Sequence, residues 1–195
     1  MHRMVRWKRS REFRASRLLQ RIRVPVGFLA AGLFMALSRP TGASLGAGLP
    51  LAIAGVALRA WASGHLRKNV ELAVTGPYAY TRNPLYLGSM IVVAGCAVCG
   101  DRWPAGLALM GLFAAVYLPV MRAEAAHMRQ LFDGEYERWA AHVPLLIPRA
   151  RPWASGLTRR FDSAQYLRHR EYRAAAGLAV VVGILSLKAA GMLDL

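Results

Sequence analysis

The chain has 195 residues, of which 55% are hydrophobic, yet its formal net charge is +16, from 26 Lys and Arg against 10 Asp and Glu. This length fits a single domain. A soluble protein that binds nucleic acid spreads such charge over a surface and keeps its apolar residues in short amphipathic patterns. Here the apolar residues form long blocks with the charges between them, which is typical of a membrane protein and argues against a nucleic-acid partner.

The first 23 residues carry nine of the Lys and Arg residues, with aromatic and aliphatic residues interleaved. Two interpretations stay open for this segment. It is either an amphipathic helix lying on anionic membrane lipids, or a basic tail that fixes the orientation of the chain. The apolar run that follows it is succeeded by further runs, so we interpret it as a retained span and not as a cleaved signal peptide.

Five apolar runs follow in chain order and predict an all-α, polytopic bundle of about five transmembrane helices. They cover residues 24–38, 43–63, 84–99, 104–121 and 172–191. Gly and Ala are frequent in these runs, and small residues let helix backbones approach closely in lipid. Arg59 stands near the end of the second run, where it is expected either to snorkel to the membrane surface or to face a polar cavity.

The positive charges predict the orientation of the bundle. With a cytoplasmic N-terminus, 22 of the 26 Lys and Arg residues lie on the cytoplasmic side, whereas only Arg39, Arg102 and Lys188 lie outside. This asymmetry predicts a multi-pass protein with its N-terminus in the cytoplasm. It also places residues 72–88 and 122–148 on the same side, where we expect them to meet in a cytoplasmic cofactor pocket.

Residues 72–88 form the most unusual stretch, because two helix-stopping pairs interrupt it. Gly76-Pro77 and Asn83-Pro84 each end a helix, since the residue before proline is driven towards extended geometry. Pro84 suits the first position of the next helix. On chemistry alone, an ordered binding segment and a plain inter-helix loop are equally good interpretations.

The stretch after the fourth run contains the candidate acid. Helix formers continue to Phe132, Asp133-Gly134 breaks the pattern, and residues 135–142 form a short amphipathic helix expected to lie along the membrane surface. Glu124 stands one turn past the span, where an acid is a site candidate by default. The alternative is an ordinary solvated glutamate.

The absence of several known motifs argues against some classes of active site. The sequence has no P-loop, no G-x-G-x-x-G and no G-x-S-x-G, which weakens nucleotide hydrolysis, Rossmann-type cofactor binding and serine-hydrolase chemistry. No third ligand stands near Glu124 and His127, so no metal site is expected. Cys96 and Cys99 lie in an apolar run and are interpreted as two buried thiols. Tyrosines, Arg82 and one acid suit a small zwitterion.

At this point the ordered motifs resemble a known family. They are Val-Thr-Gly-Pro-Tyr, Arg-Asn-Pro-Leu-Tyr-Leu-Gly, a Glu-bearing helix, Phe-x-x-x-Tyr and Val-Pro-x-x-Ile-Pro, within residues 43–148. This set resembles the isoprenylcysteine carboxyl methyltransferases and the related phospholipid N-methyltransferases. The resemblance implies an integral-membrane enzyme that uses S-adenosylmethionine and methylates a lipophilic substrate arriving through the bilayer. The family's cofactor segment maps onto Leu72, Val74, Gly76, Tyr78, Arg82, Asn83, Tyr86, Leu87 and Gly88.

The resemblance also assigns roles, with two departures. Glu124 is expected to hold the cofactor's ammonium, while Arg82 or Arg122 holds an acidic acceptor or the cofactor carboxylate; Glu124 and Arg82 are therefore the expected catalytic residues. Many members have His where this chain has Asn83. The family's second acid is absent, because Ala125 takes its place.

The resemblance divides the chain into a basic segment 1–23, a methyltransferase core 24–148, and a basic linker with an extra span in 149–195. Two alternatives to a methyltransferase stay open. The first is a membrane reductase of the sterol-reductase type that uses NADPH. The second is a membrane scaffold or lipid-binding protein whose cofactor site has decayed, for which the missing second acid is the best support.

Overall fold

The structure, a computed structural model, describes residues 25–68 and 70–193. Within these ranges the regular structure is entirely helical, as predicted. The helices are α1 (Pro25–Leu37), α2 (Gly42–Gly64), α3 (Pro84–Cys99), α4 (Trp103–His142), α5 (Ser163–Arg168) and α6 (Tyr172–Ala189), and a 3₁₀ turn covers Gly76–Ala79. The predictions for the basic segment 1–23 fall outside the described residues.

Three helices, α2, α4 and α6, are long and apolar enough to cross a membrane, and α1 and α3 are shorter apolar helices. Each of the five predicted runs is therefore a helix. Large apolar side chains such as Phe28, Leu29 and Leu33 are exposed on α1. Exposed apolar faces on long apolar helices are expected where lipid, and not water, is the solvent.

Helix ends follow the local sequence. Thr41 starts α2 with a reciprocal pair of hydrogen bonds to Ser44, and Pro84 starts α3 at the position where a missing N–H is tolerated. The predicted break at Asp133 is a kink inside the 40-residue α4, where Asp133 has φ 37° and ψ −125°. The chain thus continues beyond the membrane span and then changes direction.

Close packing of α2 on α3 is the main contact of the bundle. A Cβ added to Gly55 would lie 2.6 Å from the carbonyl oxygen of Gly88, and one added to Gly95 would lie 2.5 Å from the backbone nitrogen of Ala52. Only glycine allows backbones to approach this closely, as in other helix pairs within lipid.

The helix ends meet in two groups at opposite ends of the bundle. At one end, Arg39 N–H donates to the carbonyl of Gly100 at 2.8 Å, and Lys188 Nζ donates to the carbonyl of Met35 at 2.8 Å. The C-terminus of α2, the N-termini of α3 and α6, and the extension of α4 meet at the other end. Residues 72–88 and 122–148 therefore lie at the same end, as the charge pattern predicted.

A core cluster forms where these two stretches meet. Its buried members are Ala62, Leu72, Ala73, Val74, Tyr78, Tyr136, Trp139 and Val143. Tyr136 and Trp139, which belong to the predicted surface helix, are thus buried against protein. Residues 72–78 cover the apolar face that the sequence had suggested for the membrane surface.

Candidate functional site

Residues 78–83 are held to the end of α4 and the chain that follows it by hydrogen bonds. Trp139 Nε1 donates to the carbonyl of Tyr78 at 3.1 Å, and Asn83 Nδ2 donates to the carbonyl of Leu145 at 2.9 Å. Backbone N–H groups add three more bonds, from Arg82 to Pro144, from Arg149 to Tyr80 and from Trp153 to Ala79. The stretch is therefore an ordered element, and the amide of Asn83 is engaged in holding it.

Gly76 makes the sharp turn in this stretch possible. Its φ is +58°, and an added Cβ would lie 2.7 Å from the ring of His65. Nδ1 of His65 lies 3.2 Å from Oγ1 of Thr75. Burial lowers the pKa of His65, and the nearby charge of Arg159 lowers it further. The turn is thus built on a neutral, buried histidine and a position that favours glycine.

Arg82 is directed towards Tyr136. Its Nη1 donates to the Tyr136 hydroxyl at 3.1 Å, and its Cζ lies 6.0 Å from the centre of that ring. Its Nε is buried and has no hydrogen-bond partner among the described residues. Arg82 therefore joins the stretch to the part of α4 beyond the kink, and its buried Nε–H is left for another group.

Glu124 has an aromatic setting on α3 and α4. The Tyr86 hydroxyl donates to Glu124 Oε1 at 2.8 Å. The ring of Tyr86 lies 5.4 Å from that of Tyr117, which stacks on Phe113 at 4.3 Å. A carboxylate beside tyrosine rings is suited to a cationic ligand, since the acid supplies charge and the ring faces attract cations.

The two residues expected to be catalytic occupy different parts of this region. Arg82 contacts α4 after the kink at Asp133, whereas Glu124 lies before it, and no contact between the two is found among the described residues. Tyr78 is buried in the 3₁₀ turn of the same stretch as Arg82. Burial raises the pKa of its hydroxyl, and the carboxylates of Glu171 and Glu124 raise it further, so both acids lie within electrostatic reach of this hydroxyl.

The remaining predicted residues serve mainly the packing. Leu72, Val74 and Leu87 are buried apolar side chains, with 6%, 4% and 9% of their surfaces exposed. Gly88 brings α3 against α2, because an added Cβ would lie 2.7 Å from Cγ of Arg59.

Sequence reasoning missed three residues that lie in or beside the site, Phe113, Tyr117 and Glu171, and it singled out Arg59 without indicating its partner. Phe113 and Tyr117 precede Glu124 by 11 and 7 residues, a helical spacing that could have revealed them as one face of α4. Arg59 and Glu171, which form an ion pair beside the site at 2.7 Å, are separated by 112 residues, so local pattern gave no signal for their contact.

A metal site, a separate cleft and reactive thiols are three other kinds of site, and among the described residues none of these lies at Glu124. They contain no group of three His, Cys, Asp or Glu residues placed to hold a metal ion. A cleft of about 290 Å³ lies away from Glu124; its lining residues are Arg67, Lys68, Val70, Gln165, Arg168 and His169. Cys96 and Cys99 are buried, free thiols, as predicted.

Comparison with known proteins shows that part of the chain is similar to a known family. Residues 52–135 match the sequence model of the phospholipid methyltransferase family. The match contains the whole stretch 72–88 and the part of α4 up to residue 135, which includes Glu124, so it confirms the resemblance read from the motifs. With the three long apolar helices, it identifies an integral-membrane protein.

Two curated relatives are named for metal resistance. The chain is 31% identical over 134 residues to the cobalt-zinc-cadmium resistance protein CzcN of Cupriavidus metallidurans, a match that covers 65% of this chain and 62% of that protein. It is 30% identical over 93 residues to the nickel-cobalt-cadmium resistance protein NccN of Alcaligenes xylosoxydans xylosoxydans, covering 47% and 43%. The matches thus span less than two thirds of either relative. No solved structure matches the chain.

Proposed function

We propose that the chain is an S-adenosylmethionine-dependent methyltransferase that acts on a lipophilic acceptor reaching the site through the bilayer. The observation that carries this proposal is the Tyr86–Glu124 hydrogen bond beside Tyr117, within the segment that matches the phospholipid methyltransferase family model. The family favours a phospholipid amine as the acceptor, and an isoprenylcysteine-type carboxylate is the alternative.

The residues present fit the proposed cofactor. Glu124 offers a carboxylate for its ammonium, and Tyr86 and Tyr117 offer ring faces for its positive sulfur. The backbone of residues 74–78, turned sharply at Gly76, is the proposed cradle for its adenosyl part. When bound, S-adenosylmethionine supplies an electrophilic methyl group.

Glu124 and Arg82 then have separate roles. Glu124 holds the cationic group in place, with its carboxylate oriented by the hydroxyl of Tyr86. Arg82 keeps the stretch 72–88 closed on α4 through Tyr136, and its buried Nε is the donor proposed for a carboxylate of cofactor or acceptor. The separation of the two residues across the kink supports this division.

The chain's task in the transfer is to position the reactants and exclude water, which is where most of the rate enhancement of a direct displacement arises. The lone pair of the acceptor forms the new bond to carbon while the carbon–sulfur pair stays on sulfur. A carboxylate acceptor needs no base. An amine acceptor must first lose its proton, and Glu124 or a water molecule beside it is the proposed proton acceptor.

The test is transfer of a radiolabelled methyl group from S-adenosylmethionine to a bacterial lipid extract by the purified, reconstituted protein. We expect organic-extractable label with the wild type and at least a tenfold lower rate with Glu124→Gln or Tyr86→Phe, since a hydrogen bond to a charged group is worth about 1.5–3 kcal/mol. Glu137→Gln is the control, because Glu137 lies on the same helix but is exposed and paired with Arg129.

The outcomes separate the hypotheses. Label released as methanol by mild base indicates a methyl ester, whereas stable label indicates an N-methyl group. No transfer by the wild type contradicts a methyltransferase, and equal rates in all variants contradict the assigned residues. Stabilisation by NADPH and not by S-adenosylmethionine in thermal unfolding would favour the reductase alternative, and no response to either would favour the scaffold.

A second candidate function is metal resistance, which the names of the two relatives suggest. We propose that it depends on methyl transfer, because the candidate site suits a cationic methyl donor and the described residues contain no cluster of three His, Cys, Asp or Glu placed to hold a metal ion. Expression of the chain in a cadmium-sensitive bacterium tests this, and we expect protection by the wild type but not by Glu124→Gln. Equal protection by both would show that resistance does not depend on the candidate site.

A further inference from the structure

Arg59 in α2 and Glu171 just before α6 form an ion pair beside the candidate site. Nη2 of Arg59 lies 2.7 Å from Oε2 of Glu171, and the two side chains are 23% and 12% exposed. Breaking such a pair leaves an uncompensated charge away from water, so the pair holds its geometry firmly. It joins α6, which lies beyond the matched segment 52–135, to Arg59 within that segment.

The other terminal nitrogen of Arg59 holds the first turns of α3. Nη1 donates to the carbonyl of Leu85 at 3.2 Å and to the hydroxyl of Ser89. The aliphatic part of Arg59 lies against Gly88. These contacts fix the backbone on both sides of Tyr86, whose hydroxyl donates to Glu124.

We propose that the Arg59–Glu171 pair is a positioning element through which the C-terminal helix sets the Tyr86–Glu124 contact. This gives a role to the extra span, for which the sequence offered none. As far as a ligand is concerned, the inference rests on the proposed function. The effect of the ion pair on Tyr86 does not depend on the proposed function, because the chain of contacts from Glu171 through Arg59 to the first turns of α3 involves no ligand.

Electrostatics support the closeness of the pair to the site. Burial raises the pKa of the Tyr78 hydroxyl, the carboxylates of Glu171 and Glu124 raise it further, and Arg59 opposes the rise. Glu171 thus acts on a residue of the candidate cradle. The pair between Arg159 and Glu71 is more exposed, at 35% and 34%, and makes no contact with α3 among those described, so it serves as a matched control.

The experiment compares two neutralised pairs, Arg59→Met with Glu171→Gln, and Arg159→Met with Glu71→Gln, each with and without Tyr86→Phe. Removing both charges of a buried pair avoids an unpaired charge and favours a folded protein. The first readout is the midpoint of thermal unfolding without ligand. Residues in one network show non-additive effects, whereas independent sites add. We expect non-additivity with Tyr86→Phe for the first pair and additivity for the second.

The second readout is the dissociation constant of S-adenosylhomocysteine, which we expect to rise at least fivefold for the Arg59–Glu171 variant and to be unchanged for the control pair. A purely structural role predicts a lower midpoint, additive effects and an unchanged dissociation constant, and this result would overturn the inference. If the wild type binds no S-adenosylhomocysteine, the proposed function fails. The unfolding midpoints then decide by themselves whether the pair positions Tyr86: non-additivity with Tyr86→Phe supports this role, and additivity contradicts it.

Discussion

Gly55→Ala is expected to separate α2 from α3 at the level of the candidate site. The added Cβ would lie 2.6 Å from the carbonyl oxygen of Gly88 and 2.7 Å from the backbone nitrogen of Val92. Both are backbone atoms of α3, so no side chain can rotate away. The helices must move apart by about 0.8 Å to reach ordinary contact distance, 3.4 Å or more. Overpacking of this kind costs about 1–3 kcal/mol.

The assay is thermal unfolding of the purified protein in detergent, together with binding of S-adenosylhomocysteine. We expect a lower unfolding midpoint for Gly55→Ala and weaker binding, because Gly88 and Tyr86 move with α3. Gly46→Ala is the matched control on the same helix, since nothing lies within 4 Å of its added Cβ; it should be neutral or slightly stabilising, as alanine favours helix. Equal midpoints for the two variants would refute the close contact of the two backbones.

Three further predictions concern stability and are measured by thermal unfolding. The folded state lowers the pKa of His65 from its ordinary value of 6.5, so the unfolded chain binds the proton first as the pH falls. The unfolding midpoint should therefore drop from pH 7.5 to 5.5, and it should drop less in His65→Gln. An equal drop in both proteins would contradict this. Trp139→Phe leaves the carbonyl of Tyr78 without its donor and should cost about 1–3 kcal/mol; an unchanged midpoint would rule out that bond. Lys188→Met removes a cation from the C-terminal end of α1, beside the carbonyl of Met35, and should cost up to about 1 kcal/mol; a larger loss would indicate a further role.

The helices and the irregular backbone of residues 72–88 were predictable from local signals. Proline and glycine at Gly76, Pro84 and Gly134 mark where helices stop or start, and apolar length marks the spans. The charge asymmetry predicted that residues 72–88 and Glu124 lie at the same end of the bundle. The segment that matches the family model, residues 52–135, lies within residues 43–148, the range covered by the motifs of the resemblance.

The contacts within the site were not predictable in the same way. Nothing local to Arg59 indicates that its partner is Glu171, because the two meet only when α6 packs on α2. Likewise, the sequence placed Arg82 and Glu124 in one pocket but could not show that a kink at Asp133 separates them. Burial of Trp139 against Tyr78 also depends on that kink, whereas its amphipathic pattern equally suits a membrane surface.

The central claim is that residues 72–88 and Glu124 form a site for S-adenosylmethionine. Isothermal titration of the purified, reconstituted protein with S-adenosylhomocysteine tests it most directly. We predict saturable binding at one site per chain, at least tenfold weaker in Glu124→Gln and unchanged in Glu137→Gln. Absence of binding to the folded wild-type protein, or equal binding by all three proteins, would contradict the claim.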